Sequence, residues 1–257
     1  MDNVRAKKHL GQHFLKDEEI AARIADSVLK FSQENILEVG PGMGVLTKYL
    51  IDKENFFAIE IDTESVDFLR KTYPQYEKKI IYNDFLKMDI GNLFPGNFSV
   101  AGNFPYNISS QIMFKVLDYK DRVDYVVGMF QKEVAERIAE KPGTKTYGIL
   151  SVLLQAFYDI EYLFTVEPGA FNPPPKVRSA VIRLTRNKTK QLDCDEKLFK
   201  AVIKTAFNQR RKMMRNSLKS FVKDESLFAH RYFTDRPERL SVDDFVELTK
   251  MIEAQNP

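Results

Sequence analysis

The stretch Asn103-Phe104-Pro105-Tyr106-Asn107-Ile108-Ser109 sets an amide, an aromatic, a proline and a tyrosine just beyond a strand-like run, Phe98 to Ala101. Catalytic groups of open α/β sheets collect at such strand ends. The stretch has no His, Cys, Lys or carboxylate, so it lacks the usual nucleophiles and general bases. Whatever chemistry it serves needs an Asn, a Pro and a Tyr but no base.

A second constellation reads Glu38-Val39-Gly40-Pro41-Gly42-Met43-Gly44. Glycines let a backbone turn tightly and approach a ligand closely. Dinucleotide sites usually space them G-x-G-x-x-G; here the spacing is G-x-G-x-G with an acid two residues ahead. Glu60 ends the next strand-like run, twenty residues after Gly40. A carboxylate there can accept hydrogen bonds from both hydroxyls of a ribose. Asp84 ends a third run, where it can read an adenine amino group. In this order the three signals indicate a bound nucleoside. NAD and S-adenosylmethionine are the candidates. The second has no pyrophosphate, and a glycine turn led by an acid suits its amino-acid tail better than a phosphate.

These residues need a frame. Ile20, Ile24, Val28 and Leu29 recur at helical spacing behind Asp17, an N-cap. Strands are predicted over Ile36 to Val39, Phe56 to Ile61, Lys79 to Asp84, Phe98 to Asn103 and Val123 to Phe130. Helices are predicted over Val45 to Leu50, Thr63 to Tyr73, Ser109 to Leu117, Lys132 to Ala139 and near Tyr147 to Phe157. The alternation implies a mostly parallel sheet with helices on both faces. Ile160 to Val166 and Ala180 to Leu184 fit an antiparallel addition at its edge. Asn187 to Asp193 is polar and reads as a linker. The expected division is a catalytic domain over 1–187 and a small all-α domain over 188–257.

The 257 residues suffice for one large domain and a small one. One cysteine, Cys194, excludes a disulfide within the chain. The three histidines, His9, His13 and His230, are too scattered for a Cys/His zinc site, so no metal is expected. This usage fits a reducing compartment, and a cytoplasmic protein with no membrane association is expected. No apolar run approaches membrane-spanning length, and the basic N-terminus has no continuous apolar core of the secretory kind. Net charge is only +3, yet Ala206 to Lys223 holds six basic residues and no acid. Such a local excess points to a polyanionic partner.

Asn103-Phe104-Pro105-Tyr106 resembles the D/N-P-P-Y motif of amino-group methyltransferases. Further segments follow in order: GQHFL at 11–15, EVGPGMG at 38–44, EID at 60–62, ND at 83–84, FNPPPKVRSAV at 171–181 and FNQRRKMMRNSL at 207–218. Together they resemble the ribosomal RNA adenine N6,N6-dimethyltransferases, the small-subunit type linked to kasugamycin sensitivity. The visible departure is Phe104, where that family more often has Leu. The resemblance implies a Rossmann-like S-adenosylmethionine-dependent methyltransferase sheet with a helical C-terminal domain. It implies dimethylation of two adjacent adenosines in the 3′-end hairpin of small-subunit rRNA, within a pre-ribosomal small subunit, by a protein expected to be a monomer. It implies that the Asn103 side-chain oxygen and the Phe104 carbonyl accept the two N–H groups of the target amino group, with Pro105 between them and Tyr106. Tyr106 then stacks on the adenine, and Phe171 closes the other face. His13 and Leu15 join Glu38, Gly40, Gly42, Gly44, Glu60, Asp84 and Asn103 around the cofactor.

A helix capped near Asp193 to Glu196 is predicted to continue to about Val222. Ile203, Phe207, Met214, Leu218 and Phe221 share one face; Asn208, Arg211, Lys212, Arg215 and Lys219 share the other. The four cations suit an RNA backbone. Arg210 falls toward the apolar side, where it pairs internally or meets the catalytic domain. The alternatives are a large-subunit rRNA adenine methylase, a non-catalytic assembly factor on the same fold, and an NAD-dependent oxidoreductase, which leaves NFPY unexplained.

Overall fold

The computed structural model describes residues 4–31 and 35–255. It divides into two compact units, one of residues 1–135 with 159–186 and one of 136–158 with 187–257. The first unit holds the sheet. Its elements begin with β1 (Phe14–Leu15), α1 (Glu18–Leu29), β2 (Asn35–Val39), α2 (Thr47–Leu50), β3 (Asn55–Glu60), α3 (Thr63–Thr72), β4 (Ile80–Tyr82) and β5 (Phe98–Asn103). Then come α4 (Ser109–Asp118), β6 (Val123–Gln131) and α5 (Lys132–Ala139), whose second half belongs to the other unit. The next elements are α6 (Ile149–Gln155), β7 (Tyr158–Val166), β8 (Phe171–Asn172) and β9 (Ser179–Arg186).

The strand order is β4-β3-β2-β5-β6-β9-β7. The first five run parallel, and β9 pairs antiparallel with β6. Every residue of β2 is buried, as expected of a parallel strand covered on both faces. Chain order reverses between β2 and β5, so a crevice opens at their carboxyl ends, where open α/β sheets bind ligands. Ala21, Ile24, Ala25 and Val28 of α1 are buried in one apolar cluster with Ile36, Phe56, Ala58, Ala101 and Val127 of the strands. Asp17 caps α1 by accepting from the Ile20 amide at 3.1 Å. The short β1 and β8 pair antiparallel, Leu15 opposite Phe171.

The second unit contains α7 (Glu196–Asn208), α8 (Met214–Ser217), α9 (Arg231–Thr234) and α10 (Val242–Glu253). The single cut expected at residue 187 is corrected: segment 136–158 belongs with these helices. The reason lies in α6, where Leu150, Val152, Leu153 and Leu154 are all buried. A helix apolar all round must be covered on several sides, and within this unit it packs with α7 and α10. The expected helix from about 193 to 222 is also corrected. It stops at Asn208, turns, and resumes only as α8 and a 3-10 turn over Lys219–Phe221. Tertiary bonds hold the break: Arg210 Nη2 donates to the Lys145 carbonyl at 2.8 Å, and the Met214 amide donates to the Asp235 carbonyl at 2.8 Å. The segregation of the two faces survives. Phe207, Met214 and Leu218 are buried, while Arg211, Lys212, Arg215 and Lys219 are exposed. Among the described residues no helix is long and apolar enough to cross a membrane.

Candidate active site

The carboxyl ends of β2, β3 and β5, the loop after β4 and the segment from Leu10 to Leu15 line one pocket of the first unit. Of the expected residues, His13, Leu15, Glu38, Gly40, Gly42, Glu60, Asp84, Asn103, Phe104, Pro105 and Tyr106 are on its wall. Gly44 and Phe171 do not line it. Gly44 closes the back of the turn, its amide donating to the Pro41 carbonyl at 2.9 Å; a Cβ there would stand 2.7 Å from Leu69. Phe171 is 1% exposed and sits in the core cluster with Leu15, Val166 and Val181. Its ring fills the sheet's apolar interior because β8 is pinned to β1.

The glycine turn and Glu60 form one unit. Gly42 has φ +56, and a Cβ on it would lie 2.9 Å from the Phe14 ring, so no larger residue fits. The Gly42 amide donates to Glu60 Oε2 at 3.0 Å, and the Ile61 and Asp62 amides donate to Oε1 at 2.9 Å each. Burial raises the Glu60 pKa above the ordinary carboxylate value, against these three N–H groups, which favour the ionised form. Glu38 is 1% exposed, and burial pushes its pKa up to about 8, with the charge of Glu60 adding to the rise. Its Oε2 has no hydrogen-bond partner among the described residues. A buried carboxyl oxygen without a partner on a pocket wall suits a hydrogen-bond donor or a cation from a ligand. The ammonium and sulfonium of S-adenosylmethionine fit this acidic turn. A pyrophosphate does not, and one amide that could have bound it is already held by Glu60.

Farther along, Asp84 Oδ1 accepts from the Leu86 amide at 2.9 Å, and Lys87 Nζ stands 3.5 Å from Oδ2. Ile61 lines the pocket while 46% exposed, an apolar surface between two acids. An isoleucine at the end of a buried strand reads as core, so sequence gave no sign of it. The segment before β1 is tied down by Asp62. The Lys7 ammonium bonds to Asp62 Oδ1, and Gln12 Nε2 donates to Oδ2 at 3.1 Å. Asp62 also caps α3; only that capping role is visible as a local pattern.

At the other end, Asn103 Nδ2 donates to the His13 carbonyl at 2.9 Å. Among the described residues nothing donates to Asn103 Oδ1 or to the Phe104 carbonyl. The bond to His13 fixes the amide so that its oxygen remains the free acceptor. The Phe104 amide donates to the Met129 carbonyl at 3.1 Å, which holds the following carbonyl in place. The Tyr106 and Ser179 hydroxyls share a hydrogen bond at 2.5 Å, and burial raises the Tyr106 pKa. His13 stacks on Tyr106 with ring centres 5.3 Å apart, and its Nδ1 donates to the Pro173 carbonyl at 2.9 Å. Ser179 lies 73 residues from Tyr106, so no local pattern could have named it.

The site thus pairs an acidic, glycine-lined cradle with two fixed acceptors beside an aromatic ring. The sequence profile described as ribosomal RNA adenine dimethylase matches residues 3–254. The chain belongs to that family. It is similar to the ribosomal RNA small subunit methyltransferase A of Parabacteroides distasonis, 60% identical over 96% of this chain and 93% of that protein. Its counterpart of the same description in Bacteroides thetaiotaomicron is 59% identical, over 98% and 96%. A crystal structure of a dimethyladenosine transferase from Plasmodium falciparum shares the fold, with TM-score 0.80, 24% identity and coverage of 95% and 98%. The 23S rRNA methyltransferase ErmE superposes with TM-score 0.67, 25% identity and coverage of 92% and 99%. The protein is therefore an S-adenosylmethionine-dependent methyltransferase, and the NAD reading falls.

Burial of Glu38 has a consequence for stability. Its carboxyl titrates at about 8 in the folded chain and near 4.3 when unfolded. The folded state therefore holds the proton more tightly, and stability falls as pH rises between those values. Thermal melts of the ligand-free protein should show a declining midpoint from about pH 5 to about pH 8. Glu38→Gln should flatten most of that decline, leaving the smaller contribution of Glu60. An unchanged slope in the variant would show that Glu38 is not the group responsible.

Proposed function

We propose that the protein transfers methyl groups from S-adenosylmethionine to N6 of two adjacent adenosines in the 3′-end hairpin of small-subunit rRNA, on a maturing small subunit in the cytoplasm, acting as a monomer. The observation that carries this reading is the oriented Asn103 amide. With Nδ2 held by the His13 carbonyl, Oδ1 faces the site as an acceptor beside the Phe104 carbonyl and the Tyr106 ring.

S-adenosylmethionine supplies an electrophilic methyl group on its sulfonium. Glu38 would hold its ammonium, Glu60 the ribose and Asp84 the adenine amino group. The remaining work falls to the base end of the pocket. The lone pair of an adenine amino nitrogen is delocalised into the ring, which makes it a poor nucleophile. Asn103 Oδ1 and the Phe104 carbonyl accept its two N–H bonds and draw the nitrogen toward tetrahedral geometry. The freed lone pair then attacks in line, and the proton leaves to water after attack. Positioning and fixed dipoles supply the catalysis, so no base is required. Tyr106 offers its ring to the base, which must leave its helix to enter. Stacking of this kind returns about 1–3 kcal/mol per base.

Arg211, Lys212, Arg215 and Lys219 form an exposed basic group in the second unit. RNA duplexes are read mainly by shape and backbone, so these cations position the target. Arg211→Glu combined with Arg215→Glu should weaken RNA binding and lower the slope of log affinity against log salt by about 1.4–1.8, at roughly 0.7–0.9 per phosphate contact. A slope equal to wild type would remove that group from the interface. Methylation of undermethylated small subunits but not of protein-free large-subunit RNA tests the substrate; the reverse preference would favour the large-subunit reading.

A further inference from the structure

We propose that the exposed segment Lys176-Val177-Arg178 grips the RNA strand beside the target adenosine, with Val177 against the neighbouring base and the two cations on flanking phosphates. This rests on the RNA-methylation reading above and extends it to residues that reading does not use. Val177 is 46% exposed, a large apolar side chain left in solvent. A single exposed valine is ordinary. This one is flanked on both sides by exposed cations, in a segment bonded at either side to residues that line the catalytic pocket.

Both ends of the segment are tied to pocket residues. The Pro173 carbonyl accepts from His13 Nδ1 at 2.9 Å, and the Ser179 hydroxyl bonds the Tyr106 hydroxyl at 2.5 Å. A third anchor is the Arg178 carbonyl, which accepts from the Lys132 amide at 2.9 Å. His13 and Tyr106 both line the pocket. The segment is thus fixed on both sides to the residues beside which the target base enters. Three prolines, 173 to 175, stiffen the approach to the segment and lower the cost of ordering it.

The chemistry of the segment matches one occupant. An extruded base leaves a gap in its stack, and apolar side chains fill such gaps. Phosphates on either side of the gap meet positive charge. The acid facing Arg178 is Glu167, at 3.9 Å, and both side chains are more than half exposed. A pair that open is worth little and yields to a phosphate.

The test uses the full-length protein and undermethylated small subunits. Lys176→Glu with Arg178→Glu should raise KM for the subunits roughly tenfold and lower the salt slope by about 1.4. Affinity for S-adenosylmethionine and the thermal midpoint should stay at wild-type values. A photoreactive benzophenone side chain at position 177 should crosslink to RNA within a few nucleotides of the methylated adenosines. Normal wild-type methylation with an unchanged KM and salt slope in the double variant overturns the assignment alone. So does a crosslink to ribosomal protein or to distant RNA. A wild-type protein that methylates no small-subunit RNA overturns the RNA reading and this assignment with it.

Discussion

Asn103→Ala is expected to lower methyl transfer by roughly 10²–10³-fold, the range found when one fixed hydrogen-bonding group is removed from a reaction site. Affinity for S-adenosylmethionine should stay within several-fold. The two effects separate because the cofactor cradle is built elsewhere. Gly42, Ile61 and Asp62 amides hold Glu60, and Leu86 holds Asp84, without help from Asn103. What alanine removes is the Oδ1 acceptor and the bond to the His13 carbonyl. Asn103→Asp separates these two losses. It keeps an acceptor but sets a carboxylate against the His13 carbonyl, so the amide's fixed orientation is lost. Its rate should fall between wild type and alanine. Single-turnover transfer, with cofactor binding measured in parallel by calorimetry, reads both quantities. Transfer by Asn103→Ala near the wild-type rate would refute the acceptor role.

The second large effect concerns Gly128→Ala. Gly128 of β6 lies directly opposite Gly102 of β5, and the Phe104 ring rests over the pair. A Cβ at position 128 would stand 2.1 Å from Phe104 Cε2 and 2.9 Å from the Phe130 ring. The ring has nowhere to go. Phe104 is 1% exposed and packs edge-on against Phe130, ring centres 5.1 Å apart. Overpacking of this kind costs about 1–3 kcal/mol, a drop of roughly 2–12 °C in thermal midpoint at about 2–4 °C per kcal/mol for a chain of this size. The displaced ring also carries the Phe104 carbonyl with it, so the transfer rate should fall as well. Phe104→Leu removes Cε2, the atom in closest conflict. The double variant should recover stability and rate together, a favourable coupling that a double-mutant cycle measures. A silent Gly128→Ala, or no coupling with Phe104→Leu, would contradict this packing account.

The catalytic unit was legible in the sequence because its signals are local. The parallel strands read as mainly apolar runs, and Glu38, Glu60, Asp84 and Asn103 each stand at or just past a strand end. Ile160 to Val166 and Ala180 to Leu184 were legible as added strands, though nothing in them says that β9 inserts between β6 and β7. Long-range pairing was hidden. The two-residue strands β1 and β8 lie more than 150 residues apart, and their pairing draws Phe171 into the core. The break after Asn208 has no glycine or proline to announce it. It depends on Lys145 and Asp235, which are distant in the chain. The basic face was nonetheless readable, because the apolar positions keep their spacing on either side of the turn.

The most direct test incubates the protein with methyl-labelled S-adenosylmethionine and undermethylated small subunits, then digests the RNA and identifies the labelled nucleoside. Label in N6,N6-dimethyladenosine is the predicted result, and it establishes donor, reaction and substrate class together. Label confined to another nucleoside, or none at all while cofactor binding is intact, would contradict the account and favour a binding role or a different RNA.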